Sequence, residues 1–190
     1  MGAGRQPPGG IRYVRLARAD LARIGDIDRT ERIETLYVQR GSELEPRTGD
    51  FSARAWLTTG DGEHSVVAQR MACEHYLDAG GSALGAFDGE RLVAIGVVVP
   101  HVRAGIAQLA YMHVSDGYRG RGVGVHLSDE LDWIAREAGD AEIVVSATPS
   151  ENTVRFYLGR GYRPDADPLP ELLELEPEDV HLRKSLRLKA

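Results

Sequence analysis

Between Val114 and Val125 the chain reads "VSDGYRGRGVGV". Gly117, Gly120, Gly122 and Gly124 are interleaved with Arg119 and Arg121. An apolar strand pattern enters this stretch and a helical pattern leaves it. At such a junction the first N–H groups of the helix have no partner within it, and with the helix dipole they favour an anion. Glycine lets backbone come close to a ligand, and guanidinium groups suit phosphate oxygens. The turn therefore reads as a diphosphate cradle; a plain glycine-eased turn with solvated arginines is the other reading. The spacing excludes two familiar phosphate loops. The Walker pattern needs a Gly-Lys-Ser/Thr that is absent. The dinucleotide fingerprint needs a third glycine where Val125 or Leu127 stands.

A second cluster, "ENTVRFYLGRGY" from Glu151 to Tyr162, carries Asn152, Phe156-Tyr157 and Gly161-Tyr162. Arg119 to Gly124 resembles the Arg/Gln-x-x-Gly-x-Gly/Ala pattern of the GNAT-type N-acetyltransferases, which binds the pyrophosphate of acetyl-coenzyme A. The second cluster resembles the same family's other signature. The resemblance runs from Ile11 to about Leu188, and its specific motifs lie between Leu109 and Tyr162. It implies an α+β fold with a GNAT-like mixed, mostly antiparallel central sheet flanked by helices. It implies an acyltransferase that uses acetyl-coenzyme A as co-substrate, without a metal, by direct attack in a ternary complex. Cofactor contacts are implied for the backbone of Met112, His113 and Val114, for Arg119, Gly120, Arg121, Gly122, Val123 and Gly124, and for Asn152 and Tyr157. Tyr157 is also the implied acid for the departing thiolate, since a phenol with an ordinary pKa near 10 stays protonated at pH 7. Each of these residues also has a plain structural use, as strand pairing, first-turn polar residue or core aromatic.

The acceptor side is less defined. An alkyl amine with a pKa near 10.4 is neutral in about one molecule in 2,500 at pH 7, a deficit of roughly 4.6 kcal/mol. A proton acceptor is therefore needed. Several family members carry a Glu eleven residues before the arginine that opens the turn; Gln108 stands there. His113 titrates in the useful range, but simple alternation puts it on the face opposite Gln108. Glu31 and Glu34 lie in an early, helical-looking region that lines the acceptor site in the family, and they are the candidate bases. Asp28-x-x-Glu31 also reads as a helix cap, and Glu74 and His75 are further options.

These residues need elements to hold them. "IRYVRLA" alternates as a strand. Asp20 is placed to cap a helix. "DRTERIETLYVQR" continues helically to Arg40, with Gly41 ending it. Residues 41–62 form a long loop or irregular hairpin, and a further helix spans Glu63 to Ala79. Asp88-Gly89 between apolar runs marks a hairpin, and "GIAQLAYMHVS" extends the meander. After the glycines Val123, Leu127 and Leu131 recur at helical spacing. "AEIVVSAT" is a strand. Thr148 with Glu151 forms a capping box for the next helix, with Pro149 at its first position. "DVHLRKSLRL" is the closing strand. The expected organisation is a loose tail over residues 1–10 and one domain over residues 11–190.

The chain has 190 residues and a formal net charge of -6, so it lacks the basic surplus of a general nucleic-acid binder. "PDADPLPELLELEPEDV" adds seven acidic residues and no basic one. Near the acceptor site it would attract a cationic amine. The expected acceptor is a small amine-bearing molecule; a protein lysine or N-terminus, and a non-catalytic acetyl-coenzyme A sensor, are the alternatives. The single cysteine, Cys73, excludes an internal disulfide and fits the cytoplasm. The longest apolar run is too short to span a bilayer. A homodimer is an expectation of the resemblance alone.

Overall fold

The alternation in "IRYVR" forms the first strand, β1 (Ile11–Arg15). The computed structural model describes residues 10–187, so the tail expected over residues 1–10 lies, Gly10 apart, outside them. A 3₁₀ helix over Arg18–Asp26 follows and buries Leu21 and Ile24. Asp20 is not its cap, contrary to expectation. Ala17 holds that place, and the Asp20 carboxylate reaches back to accept the Ala17 N–H at 2.7 Å.

The helix expected up to Arg40 is a strand. β2 (Glu31–Arg40) pairs antiparallel with β3 (Glu43–Ala53), from Glu31↔Ala53 to Arg40↔Glu43. Ile33, Leu36 and Tyr37 have the three- and four-residue spacing of a helix face, but pairing with a partner beyond the turn overrides that pattern. Gly41, at φ 60°, occupies the first place of a Gly-Ser turn, where a two-residue hairpin favours glycine. It reverses a strand and ends no helix, and the first half of the expected loop over 41–62 is β3. Glu31 and Glu34 consequently stand on a strand.

The remaining elements follow the expected order, with a two-residue strand and a short helix added before the closing strand. α1 (Val66–Asp78) starts at Ser65, whose hydroxyl accepts the Ala68 N–H. β4 (Ser82–Asp88), β5 (Arg91–Arg103) and β6 (Ile106–Val114) form an antiparallel meander, with Asp88 paired to Arg91 across the Gly89 turn. Then come α2 (Val123–Glu137), β7 (Glu142–Ala147), α3 (Glu151–Gly159), the two-residue β8 (Arg163–Pro164), α4 (Pro170–Leu175) and β9 (Val180–Ser185). The main sheet has the order β1-β4-β5-β6-β7-β9-β8, and β6–β7 is its parallel step. The β2–β3 hairpin is a separate sheet, anchored beside the end of β7 by the Tyr37 N–H donating to the Pro149 carbonyl at 2.8 Å.

β5 is buried on both faces, which explains its continuous apolar run. Ile95 and Val97 pack against the 3₁₀ helix and Cys73 of α1, while Val98 packs against Leu131 and Ala135 of α2. Burial, then the charge of Glu74, pushes the Cys73 thiol up to about 12, so it behaves as a small hydrophobe. No described helix is long and apolar enough to cross a membrane.

The expected capping box at α3 is replaced by a single cap two residues later. Thr148 is exposed, and it is Ser150, fully buried, whose hydroxyl accepts the Thr153 N–H. Ser150→Ala should therefore cost about 1 kcal/mol in urea unfolding. Thr148→Ala should leave the midpoint unchanged, and the reverse ranking would restore the Thr148 cap.

Candidate active site

Strand β6 carries the site because only part of it is paired on both sides. Its parallel pairing with β7 runs from Ile106↔Glu142 to Gln108↔Val144 and then stops. From Leu109 to Val114 the β7-facing edge has no strand partner among the described residues, although β5 still covers the other edge. Met112, His113 and Val114 therefore lie on an opening between two strands.

A bulge sets which side chains face which way. Tyr111 pairs with Val97 and Leu109 with Val98, so Ala110 is an extra residue on β6. Ala107 and Leu109 pack in the core under α2, and Met112 and Val114 pack on that same side with Val123 and Leu127. Tyr111 packs with the α1 cluster, and its ring lies 4.8 Å from that of His113. Alternation on either side of the bulge places Gln108 on the same face as His113. The expected opposition of these two residues is thus incorrect, because the extra residue cancels the odd–even difference.

His113 is hemmed in by Tyr111 and by the edge of Trp56, 5.0 Å away. Burial, reinforced by the charges of Arg29 and Arg119, lowers its pKa to about 3. It is a neutral ring at pH 7 and a poor proton acceptor. Trp56 is itself buried, and its indole N–H has no partner among the described residues.

The glycine turn leads from β6 into α2. Gly117, Gly120 and Gly122 adopt φ values of 78°, 71° and 83°. Gly122 is the helix cap, without a side-chain cap and without an acidic residue in the first turn. A Cβ on Gly122 would meet nothing within 4 Å, so the space beside this left-handed backbone is open. Gly124 serves packing instead: a Cβ there would lie 3.3 Å from Met112 and 3.4 Å from both Val114 and Phe156. It lets α2 seat closely on β6 and α3. Val123 is buried beneath the turn.

The two arginines differ. Arg119 is a clamp: its Nε donates to the Val114 carbonyl at 3.1 Å and its guanidinium to the Thr30 carbonyl at 2.9 Å. It binds the end of β6 to the start of β2. Asp28 reinforces this junction, donating its N–H to Ser115 Oγ at 3.0 Å and accepting the Asp116 N–H at 2.8 Å. Its carboxylate accepts the Thr30 N–H and caps no helix. Arg121 is exposed and lies over the Tyr118 ring at 5.5 Å.

Asn152 and Glu31 meet, with Asn152 Nδ2 donating to Glu31 Oε1 at 2.9 Å. Together with Arg32, Ile33, Glu34 and Glu151 they line a shallow pocket between β2 and α3. Arg119 approaches Glu31 to 4.0 Å. Tyr157 is buried in the core, with its ring 5.2 Å from those of Phe156 and Tyr162. Burial, then the charge of Asp179, raises its pKa, so its proton stays on. Asp179 is pushed up to about 7 by burial and then by Glu176. Glu74 pairs with Arg18 and Arg70 on the far side of α1 and is not drawn into this group. Among the described residues no cluster of three or more His, Cys, Asp or Glu is placed to hold a metal ion.

Sequence reasoning overlooks Trp56, which lies in an aperiodic stretch, and it places Asp179 only within an acidic run. The His113 environment has a direct consequence. Its ring should remain neutral down to about pH 5, read from imidazole nitrogen shifts by NMR; a midpoint above pH 6 would overturn this placement. Because the folded pKa is depressed, its contribution to stability is complete above about 6.5 and is lost as pH falls toward 3.

The profile of the acetyltransferase (GNAT) family matches residues 45–162. No curated protein matches the sequence. Among solved structures, nourseothricin acetyltransferase aligns over 94% of this chain and 100% of its own, with a TM-score of 0.70 and 16% identity. A putative streptothricin acetyltransferase from Bacillus anthracis str. Ames, in complex with acetyl coenzyme A, aligns over 94% of this chain and 99% of its own, with a TM-score of 0.67 and 15% identity. An aminoglycoside 6'-N-acetyltransferase complexed with coenzyme A covers 68% of this chain and 83% of its own, with a TM-score of 0.54 and 15% identity. At these identities the structures share a fold, whereas the family profile spans more than half of the sequence: the chain belongs to the acetyltransferase (GNAT) family and is an acyltransferase.

Proposed function

We propose that this chain, as one domain over residues 11–190, transfers the acetyl group of acetyl-coenzyme A to a primary amine of a small molecule, by direct attack in a ternary complex. The observation that carries this reading is the β6–β7 opening lying next to an uncapped, glycine-lined helix start. A strand edge not paired by β7 can pair an amide-bearing chain, and the helix start offers N–H groups to an anion. The residues present therefore fit a diphosphate-bearing pantetheine thioester. When bound, acetyl-coenzyme A supplies an activated acetyl group.

Each side of the site has a role in this reading. The backbone of Met112, His113 and Val114 pairs the pantetheine arm and holds the thioester carbonyl polarised. The backbone of Gly120, Gly122, Val123 and Gly124, with Arg121, holds the diphosphate. Arg119 shapes that turn through its two carbonyl bonds and adds positive charge. Asn152 sits beside the cofactor path, and Tyr157 holds a proton at Oη for the sulfur that leaves. On the acceptor side Glu31, Glu34 and Glu151 draw in a cation. The names of the compared streptothricin and aminoglycoside enzymes support a small amine.

Two variants and one screen test this. Asparagine tolerates left-handed backbone, so Gly122→Asn should fold normally while its side chain occupies the diphosphate space; acetyl-coenzyme A affinity by calorimetry should drop at least about tenfold. Unchanged affinity would remove the cradle. Tyr157→Phe should depress kcat and leave acetyl-coenzyme A affinity intact, and full activity would remove Tyr157 as the acid. In a thiol-release assay over a panel of small amines and peptides, turnover on peptides alone would reject the small-molecule acceptor, and tight binding without any turnover would reject catalysis.

A further inference from the structure

β7 and β9 carry a polar pair that the roles above leave unused. Ser146 and His181 face each other across a rung of the sheet, with Ser146 Oγ 3.1 Å from His181 Nδ1. His181 Nε2 lies 3.1 Å from the Glu176 backbone carbonyl. A carbonyl only accepts, so Nε2 carries the hydrogen. In the neutral ring Nδ1 is then bare and accepts from the Ser146 hydroxyl. The strand is pinned from the hairpin side: the His181 N–H donates to Gln39 Oε1 at 2.7 Å, and Gln39 donates to the Asp165 carbonyl at 2.8 Å.

The pair stands beside the opening. The last β6–β7 rung is Gln108↔Val144, and Ser146 comes two residues later. Ile143, Val145 and Ala147 pack in the core beneath α2 and α3, so Ser146 faces the side of Gln108, Tyr111 and His113. Ser146 is partly exposed and His181 is buried. The hydroxyl is thus the open end of the pair and the imidazole its closed end. The groups around it come from several elements. Glu176 feels both Ser146 and His181, its charge acts on Asp179 and on Tyr76 of α1, and the charge of Asp179 acts on Tyr157 of α3. Arg183, two residues further along β9, is held by Glu142 and Asp165, each at 2.8 Å.

We propose that Ser146 and His181 form the path that takes the proton from the acceptor's ammonium group, filling the role that Gln108 cannot. This rests on the acetyl-transfer reading above. The ammonium N–H gives its proton to Ser146 Oγ as the serine's own proton moves to His181 Nδ1. The nitrogen keeps the electron pair of the broken N–H bond and becomes the attacking amine. Ser146 stays a neutral hydroxyl, and the positive charge passes from the ammonium to the imidazolium. That cation lies beside the Glu176 carboxyl, to which the Ser146 hydroxyl can then turn.

The test compares Ser146→Ala and His181→Gln with the unaltered protein, using the best amine of the panel. For both variants kcat/KM for the amine should fall at least about 100-fold, and the low-pH limb of its pH profile should flatten. Acetyl-coenzyme A affinity and thermal midpoint should be retained. A wild-type rate and low-pH limb in Ser146→Ala overturns the relay. So does a loss confined to acetyl-coenzyme A affinity, which would assign Ser146 to cofactor binding. Should His181→Gln fail to fold, Ser146→Ala alone decides. Absence of turnover by the unaltered protein on every amine would instead reject acetyl transfer itself, and the relay with it.

Discussion

Parallel pairing between β6 and β7 ends at Gln108↔Val144, and the rest of the site depends on that ending. Buried backbone N–H and C=O groups are costly without partners. A strand that keeps β5 on one edge and loses β7 on the other must stay near a surface or near a ligand. The bulge at Ala110 lies just past the divergence and turns Tyr111 and His113 toward α1. Gly124 lets α2 close on the other face, against Met112 and Val114. Arg119 then holds the end of β6 to the start of the hairpin, so the opening has a fixed rim.

Charge divides along this rim. The glycine turn presents uncapped helix N–H groups and Arg121, with no carboxylate in the first helical turn. The hairpin side presents Glu31 and Glu34, with Glu151 of α3 beside them, and the charges of Glu176 and Asp179 reach one another and Tyr157. An anion suits one side and a cation the other. His113 lies between them, and the positive charges of Arg29 and Arg119 add to burial in keeping it neutral. Its ring is therefore a poor place to store the proton of an ammonium.

Much of the fold is legible where the determining contacts are local. The Gly89 hairpin, α1, α2 and the closing strand follow from turn residues and apolar period. Reading fails where a distant partner decides. β2 has helical spacing in Ile33, Leu36 and Tyr37, yet it is a strand because β3 returns along it. Glu31 and Glu34 were expected in a helical region, and the strand that carries them, lining one pocket with Asn152, was not legible. The α3 cap slid from Thr148 to Ser150, since which hydroxyl reaches the helix depends on how β7 delivers the chain.

By itself the sequence determined the glycine turn, the second signature that follows it and the absence of a carboxylate at Gln108, because these depend on residue identity at short spacing. The tertiary structure alone decided which side chains share a face and which groups are paired. A one-residue bulge reverses alternation, so His113 joins Gln108 on one face. Arg119, read as a phosphate ligand, is largely occupied by two carbonyls from separate segments. Ser146 and His181, 35 residues apart, become neighbours only through the pairing of β7 with β9. No local pattern encodes that contact, since strand register is set by the packing of whole elements.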